Sequence, residues 1–338
     1  MGIAGNLYMI TMTFPVMTST VSADALCKLV CKTYAFEEDT TCTLLRTGMN
    51  HSYLVCHGNT RYIFRVYCYQ WRTREEITEE LRLLLLLKER GIGVSYPVAD
   101  RKGNFLQEIH APEGMRLAVL FSYASGAKVR FMNDETYTAI GSCMGKMHTI
   151  TEHLDIARVT YRTETLVTTA YERIRTFFPD TLAEIQFIKK AGWQLSERLQ
   201  KNHWEDWPRG VVHLDMWYDN MSVGKDNTIT LFDFDFCGNG PLLLDIAYCC
   251  KQLFHIEADK RAYKQKEQLI LDGYRSVRPL SEEELKHIPE AAVLIWIFYL
   301  GVQVQRFDWS NIFLSENYLK MYVGRIKSWI DYYNVPLT

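Results

Sequence analysis

Neither sign of charge prevails in this chain. Lysine and arginine number 38 against 40 aspartates and glutamates, a formal net charge of −2, and no basic stripe runs along the sequence. With nothing to neutralise a phosphate backbone, nucleic acid is not an expected partner. Cysteines at metal or redox spacing are also missing: the nine present are scattered, an odd number, with no C-x-x-C among them. That argues against a zinc site and a disulfide framework, so reduced thiols in a cytoplasmic protein are expected. The longest apolar run, Ala291 to Val302, is too short to cross a bilayer and reads as a buried core helix. The N-terminal residues lack the basic n-region and apolar core of a secretory signal. Asn6 stands where a myristoylation signal after Met1-Gly2 needs Ser or Thr. No membrane association is expected. There is no Walker motif, internal repeat or low-complexity segment.

What remains is an ordinary globular composition, 48% hydrophobic and 23% charged over 338 residues, a length that favours two lobes over one core. Ser22 caps an expected first helix. From about Cys42 to Tyr67 the texture is β-branched and aromatic, broken by Gly48 and by His57-Gly58-Asn59-Thr60, a good hairpin turn. Thr73 to Arg90 reads as a long helix closed by Gly91. Two short strands follow, near Gly103 to Glu108 and Arg116 to Phe121. Beyond Ser125-Gly126 helical spacing dominates over Asp134–His148, Glu164–Phe178 and Thr181–Lys201. One hairpin returns at Met221–Val223 with Thr228–Phe232, and a Ser281/Glu284 capping box opens the late helices. A strand-rich first lobe (1–124) and a helical second lobe (125–338) are expected, with a ligand cleft between them.

The stretch His213-Leu214-Asp215-Met216-Trp217-Tyr218-Asp219-Asn220, followed by Phe232-Asp233-Phe234-Asp235, carries the chemistry. Asp215 can accept a proton from an attacking hydroxyl. Asn220 and Asp233 are hard oxygen donors able to hold magnesium on a nucleotide triphosphate. The D-x4-N spacing is that of protein-kinase catalytic loops. Asp235 reads as a second metal ligand or as a cap of the turn at Gly238, with the cap favoured. His213 is expected to brace the loop, not to move protons.

Together with Gly240-Pro241, Asp245-Ile246-Ala247, Tyr62–Tyr67, Glu79-Glu80-Leu81 and Gly91–Val98, these residues resemble the aminoglycoside phosphotransferase and choline kinase superfamily, in its homoserine-kinase-like variant. The resemblance spans roughly residues 20 to 300. It implies an α+β, bilobal protein-kinase-like fold, and a small-molecule kinase using ATP or GTP with Mg on a hydroxyl acceptor. It further implies that Asp245 anchors the catalytic loop from a helix. Arg65 stands where the family has a nucleotide-contacting lysine, with Glu80 as its partner and Glu76 the runner-up. Gly48 and Asn50 fall in a phosphate-covering loop, and Phe121 and Tyr123 in the hinge that reads the adenine edge. Leu214 replaces a glycine frequent in relatives. Trp204, Trp207, Trp217 and Tyr218 read either as walls of an acceptor pocket or as buried packing.

Two rival readings remain. Arg65 and Leu214 would also suit a catalytically silent pseudokinase serving as a nucleotide-binding or scaffolding module. A metal-dependent hydrolase built on His213, Asp215, Asp233 and Asp235 would need more histidines nearby. No A-P-E segment follows Asp233, which argues against a peptide substrate. Glu257, Asp259, Asp272 and Asp308 either favour a cationic acceptor or form a solvated face, the second being expected. Association into an oligomer is compatible with the late apolar helices.

Overall fold

The computed structural model describes residues 14–307 and 314–337, so the readings placed on Gly2, Asn6 and Asp308 lie outside the described residues. Strand alternation builds the first lobe. Strands β1 (Thr41–Arg46), β2 (His51–His57), β3 (Thr60–Val66), β4 (Leu106–Ala111) and β5 (Gly114–Ser122) make one antiparallel sheet, ordered β1-β2-β3-β5-β4. Along β3 the period of two turns Phe64 and Val66 toward Leu26, Val30 and Tyr34 of helix α1 (Ala23–Tyr34). Ile63 and Arg65 point the other way, into a cleft.

Helix α2 (Arg74–Glu89) starts with a capping box, Thr73 and Glu76 each bonding the other's backbone N–H. Its buried stripe is Ile77, Leu81, Leu84 and Leu87, and Glu80 lies on that same stripe. A carboxylate at such a position needs a partner, and the cleft supplies one.

Helices fill the second lobe: α3 (Asp134–Thr151), α4 (Thr169–Arg175), α5 (Ala183–Lys201), α6 (Leu243–Ile256), α7 (Lys260–Arg275), α8 (Glu282–Gln305) and α9 (Glu316–Tyr333). Among the described residues α8 alone is long and apolar enough to cross a membrane, yet 83% of its apolar window is buried inside the protein, as a core helix requires. Ser281 and Glu284 form its capping box. Between α5 and α6, β6 (Arg209–Val212) pairs with β9 (Gly238–Pro241), and β7 (Met221–Val223) with β8 (Ile229–Leu231). The connection after β5 is tied to β7 by Ala127–Val223 backbone hydrogen bonds of 3.0 and 2.9 Å. Gly126 permits that approach: its φ is +119°, and a Cβ there would sit 2.5 Å from the Val223 carbonyl oxygen.

Candidate active site

A cavity of about 440 Å³ opens between the sheet and the β6–β7 loop, lined among others by Ile63, Arg65, Phe121, Tyr123, Lys128, Asn220, Ser222 and Asp233. The loop is held from beneath. Asp245, the third residue of α6 and fully buried, accepts from the backbone N–H of His213 (2.8 Å) and of Leu214 (2.6 Å). His148 Nε2 lies 3.0 Å from the same carboxylate, and its Nδ1 is 3.0 Å from the Tyr274 hydroxyl. Tyr299 donates to the Leu214 carbonyl (2.8 Å). His213 accepts at Nδ1 from the Asp215 N–H and faces the Phe232 carbonyl with Nε2, each at 3.2 Å. That pair of contacts defines a neutral imidazole with its proton on Nε2, and burial lowers its pKa in agreement.

Leu214 adopts φ +58°, a left-handed conformation that suits glycine better than leucine. Its side chain is nonetheless fully buried. Relief of the backbone strain is worth about 1–2 kcal/mol, whereas emptying a buried leucine site costs roughly 2–5 kcal/mol. Leu214→Gly is therefore expected to destabilise the protein in denaturant titration by up to about 4 kcal/mol. A variant more stable than the parent would show that the leucine packs poorly.

Asp215 is reached from two sides. Asn220 Nδ2 donates to its Oδ2 at 2.6 Å and to its backbone carbonyl at 3.0 Å, and the Tyr248 hydroxyl donates to Oδ1. Burial lifts this carboxyl to about 7; the Tyr248 hydrogen bond opposes the rise, the charge of Asp233 adds to it, and Lys251 and Asn220 oppose it. With Nδ2 on the carboxylate, the Asn220 oxygen is the atom left for a cation, and both Asn220 and Asp233 line the cavity. Two hard oxygens, one amide and one carboxylate, suit magnesium, which takes few protein ligands beside phosphates and water. No larger group of His, Cys, Asp and Glu able to hold a metal ion occurs among the described residues. A hydrolase centre on His213, Asp215, Asp233 and Asp235 is therefore not assembled.

Arg65 bridges. Its Nη1 is 3.4 Å from Glu80 Oε1 and its Nη2 is 3.2 Å from Asp233 Oδ1. Glu80 also receives the Tyr67 hydroxyl at 3.2 Å and faces Arg158 Nη1 at 3.7 Å. Burial pushes the Glu80 carboxyl up against the pull of those two guanidinium groups. A lysine ammonium has no fork with which to span both carboxylates in this way. Arg158, from the segment between α3 and α4, carries no sequence signal of this kind. Glu76 is engaged in the α2 cap instead of pairing with Arg65.

Several other sequence readings find different places. Asp235 neither caps the turn at Gly238 nor faces the cavity. It accepts from Trp71 Nε1 (2.7 Å) and Arg72 Nε (3.3 Å), and against its burial Arg72 and Arg158 hold its pKa low. Gly48 and Asn50 lie off the cavity wall, which their neighbours Leu45, Arg46 and Ser52 supply. Asn50 accepts instead from the Cys68 N–H at 3.1 Å. Phe121 and Tyr123 do line the cavity, while both backbone groups of Ser122 between them are taken by Tyr96 and Ser95. Trp204 is fully buried and Trp207 packs on His287, both away from the loop. Trp217 and Tyr218 stack edge to face beside it. Glu257 pairs with Lys266, Asp259 caps α7 and Asp272 accepts from Gln268. None of these three lines the cavity.

Comparison with known proteins places this chain among phosphotransferases. A family model described as "Phosphotransferase enzyme family" matches residues 41–280. An uncharacterised protein of Synechocystis sp. is 28% identical over 308 residues, 88% of this chain and 83% of that one. A homoserine kinase of Methylobacillus glycogenes is 27% identical over 235 residues, 70% of each chain. In structure, an amicoumacin kinase solved with AMP-PNP, Ca2+ and amicoumacin superposes with a TM-score of 0.74 at 23% identity, covering 94% of this chain and 95% of the other.

Proposed function

The chain belongs to the phosphotransferase enzyme family, and we propose that it transfers the γ-phosphoryl group of ATP or GTP, with magnesium, to a hydroxyl of a small metabolite or an aminoglycoside-like antibiotic. The observation that carries this reading is the joint placement of Asp215, Asn220 and Asp233. The Asn220 amide nitrogen holds the Asp215 carboxylate, and Asn220 and Asp233 both line the cavity.

Asp215 orients the acceptor hydroxyl and takes its proton as the hydroxyl oxygen bonds to the γ-phosphorus and the bridging oxygen of the nucleotide leaves. Asn220 and Asp233 would hold the metal, which when bound neutralises charge on the phosphates. Arg65, locked by Glu80, keeps a positive fork at Asp233 in the cavity wall. Ile63, Leu84 and Phe121 provide apolar cover for a base. The relatives are named for homoserine and amicoumacin, acceptors of different chemistry. The nucleotide end of the site is therefore better defined than the acceptor end.

The test is a panel of hydroxy amino acids, amino alcohols and aminocyclitols with purified protein, Mg and either ATP or GTP, read by phosphorus NMR and mass spectrometry. A phosphomonoester product is expected with at least one acceptor. Tight nucleotide binding with no ester across the panel and no release of phosphate would favour the silent pseudokinase.

A further inference from the structure

Three side chains of α6 that the proposed reaction leaves unused stand in line behind Asp215. Lys251 Nζ donates to Gln252 Oε1 (3.2 Å), Gln252 Nε2 donates to the Tyr248 hydroxyl oxygen (3.1 Å), and that hydroxyl donates to Asp215 Oδ1. Every link runs in the same direction. An ammonium is a donor only, so it fixes which end of the Gln252 amide faces it. The amide nitrogen then fills a lone pair of the Tyr248 oxygen, and the hydroxyl hydrogen is left for the carboxylate. Tyr299 braces the same cluster by its bond to the Leu214 carbonyl.

Lys251 is buried, and its ammonium lies 4.3, 5.3 and 5.4 Å from the ring centroids of Tyr248, Tyr299 and Trp296. It forms no ion pair among the described residues. An apolar residue would fill that place at lower cost, because a buried cation needs compensation. Burial pushes the Lys251 pKa down to about 7, and the charged form is supported by the aromatic faces and by the Asp215 carboxylate at the end of the chain of donors.

We propose that Tyr248 is a positioning residue for phosphoryl transfer, its hydroxyl aimed by Gln252 and Lys251 so that Asp215 presents its remaining lone pairs to the acceptor. This rests on the reading of Asp215 as the base. Displacement of a reacting group by about 1 Å costs roughly 10²-fold in rate. Tyr248→Phe is thus expected to lower kcat about 10- to 100-fold while leaving KM for nucleotide unchanged.

The sharper variant is Gln252→Glu. It keeps the shape and adds an ion pair with Lys251, but turns a donor into an acceptor and draws the Tyr248 hydrogen away from Asp215. The experiment reads phosphate release from Mg-ATP, with water in place of the acceptor, together with melting temperature, for Tyr248→Phe, Gln252→Glu, the double variant and Asp215→Asn. The account expects Gln252→Glu to lose at least about tenfold in kcat with an unchanged or raised melting temperature. It expects the double variant to fall no further than Tyr248→Phe alone, as for residues acting in one chain. Wild-type kcat in Gln252→Glu with Asp215→Asn inactive would overturn the proposal and leave the base assignment standing. An active Asp215→Asn would remove both.

Discussion

Asp215→Asn lowers kcat by roughly 10²–10⁴-fold, the range that a positioned general base contributes, while AMP-PNP still raises the melting temperature as it does for the parent. The substitution keeps the size of the side chain. Its amide oxygen can still accept from Tyr248 or Asn220, so the loop has no reason to collapse. What it loses is the site for the acceptor proton. Burial has already lifted the carboxyl to about 7, so a base of useful strength near neutral pH is present in the parent. Turnover near the parent rate would assign proton removal to another group; the two carboxylates that line the cavity, Glu80 and Asp233, are both paired with Arg65.

Asp245→Asn has its largest effect on folding. The carboxylate accepts from two backbone N–H groups and from His148 in a fully buried place. An amide there offers one oxygen and turns an NH2 group toward a donor. At least one buried N–H loses its acceptor, which costs about 1–3 kcal/mol. The expected result is a large drop in denaturant midpoint, with kcat falling in the fraction that remains folded because the His213–Leu214 backbone is no longer fixed. A parent-like midpoint would mean that the loop is held chiefly by Tyr299 and by the β6–β9 pairing.

The parts legible in the sequence were those with a local period or a fixed spacing. Arg65 and Ile63 alternate with Phe64 and Val66, so the pleat alone puts the guanidinium on the cleft face. Glu80 was picked out through the family resemblance, and its place on the buried stripe of α2 is what the structure adds. The D-x4-N spacing and the following hairpin bring Asp215, Asn220 and Asp233 to one place because β7 and β8 are short and pair directly. The strand β9, Gly238–Pro241, carries no alternation and was not legible. The same gap hid the separation of Trp204 and Trp207 from the loop, since β6 intervenes between them and Asp215.

Asp235 was misread for a related reason. The sequence offered a second metal ligand or, preferably, a cap of the turn at Gly238; the backbone instead passes through φ +66° at Asp233 and a short 3-10 turn, which sends Asp235 to Trp71 and Arg72. Tyr248, Gln252 and Lys251 look like ordinary members of an apolar helix until α6 is seen against the loop. Their one sequence signal is a lysine directly after Cys249-Cys250 in a run otherwise fit for burial. Arg158 lies on an irregular segment, where no period links it to Glu80 far away in the sequence.

The central claim is that Asn220 and Asp233 hold a cation on a triphosphate beside Asp215. Calorimetric titration of AMP-PNP into the parent and into Asp233→Asn, with and without Mg, tests it most directly. The account predicts that Mg tightens binding to the parent by about tenfold or more, equivalent to about 1.4 kcal/mol, and that this gain is absent in Asp233→Asn. Equal affinity for AMP-PNP in the parent with and without Mg would contradict it.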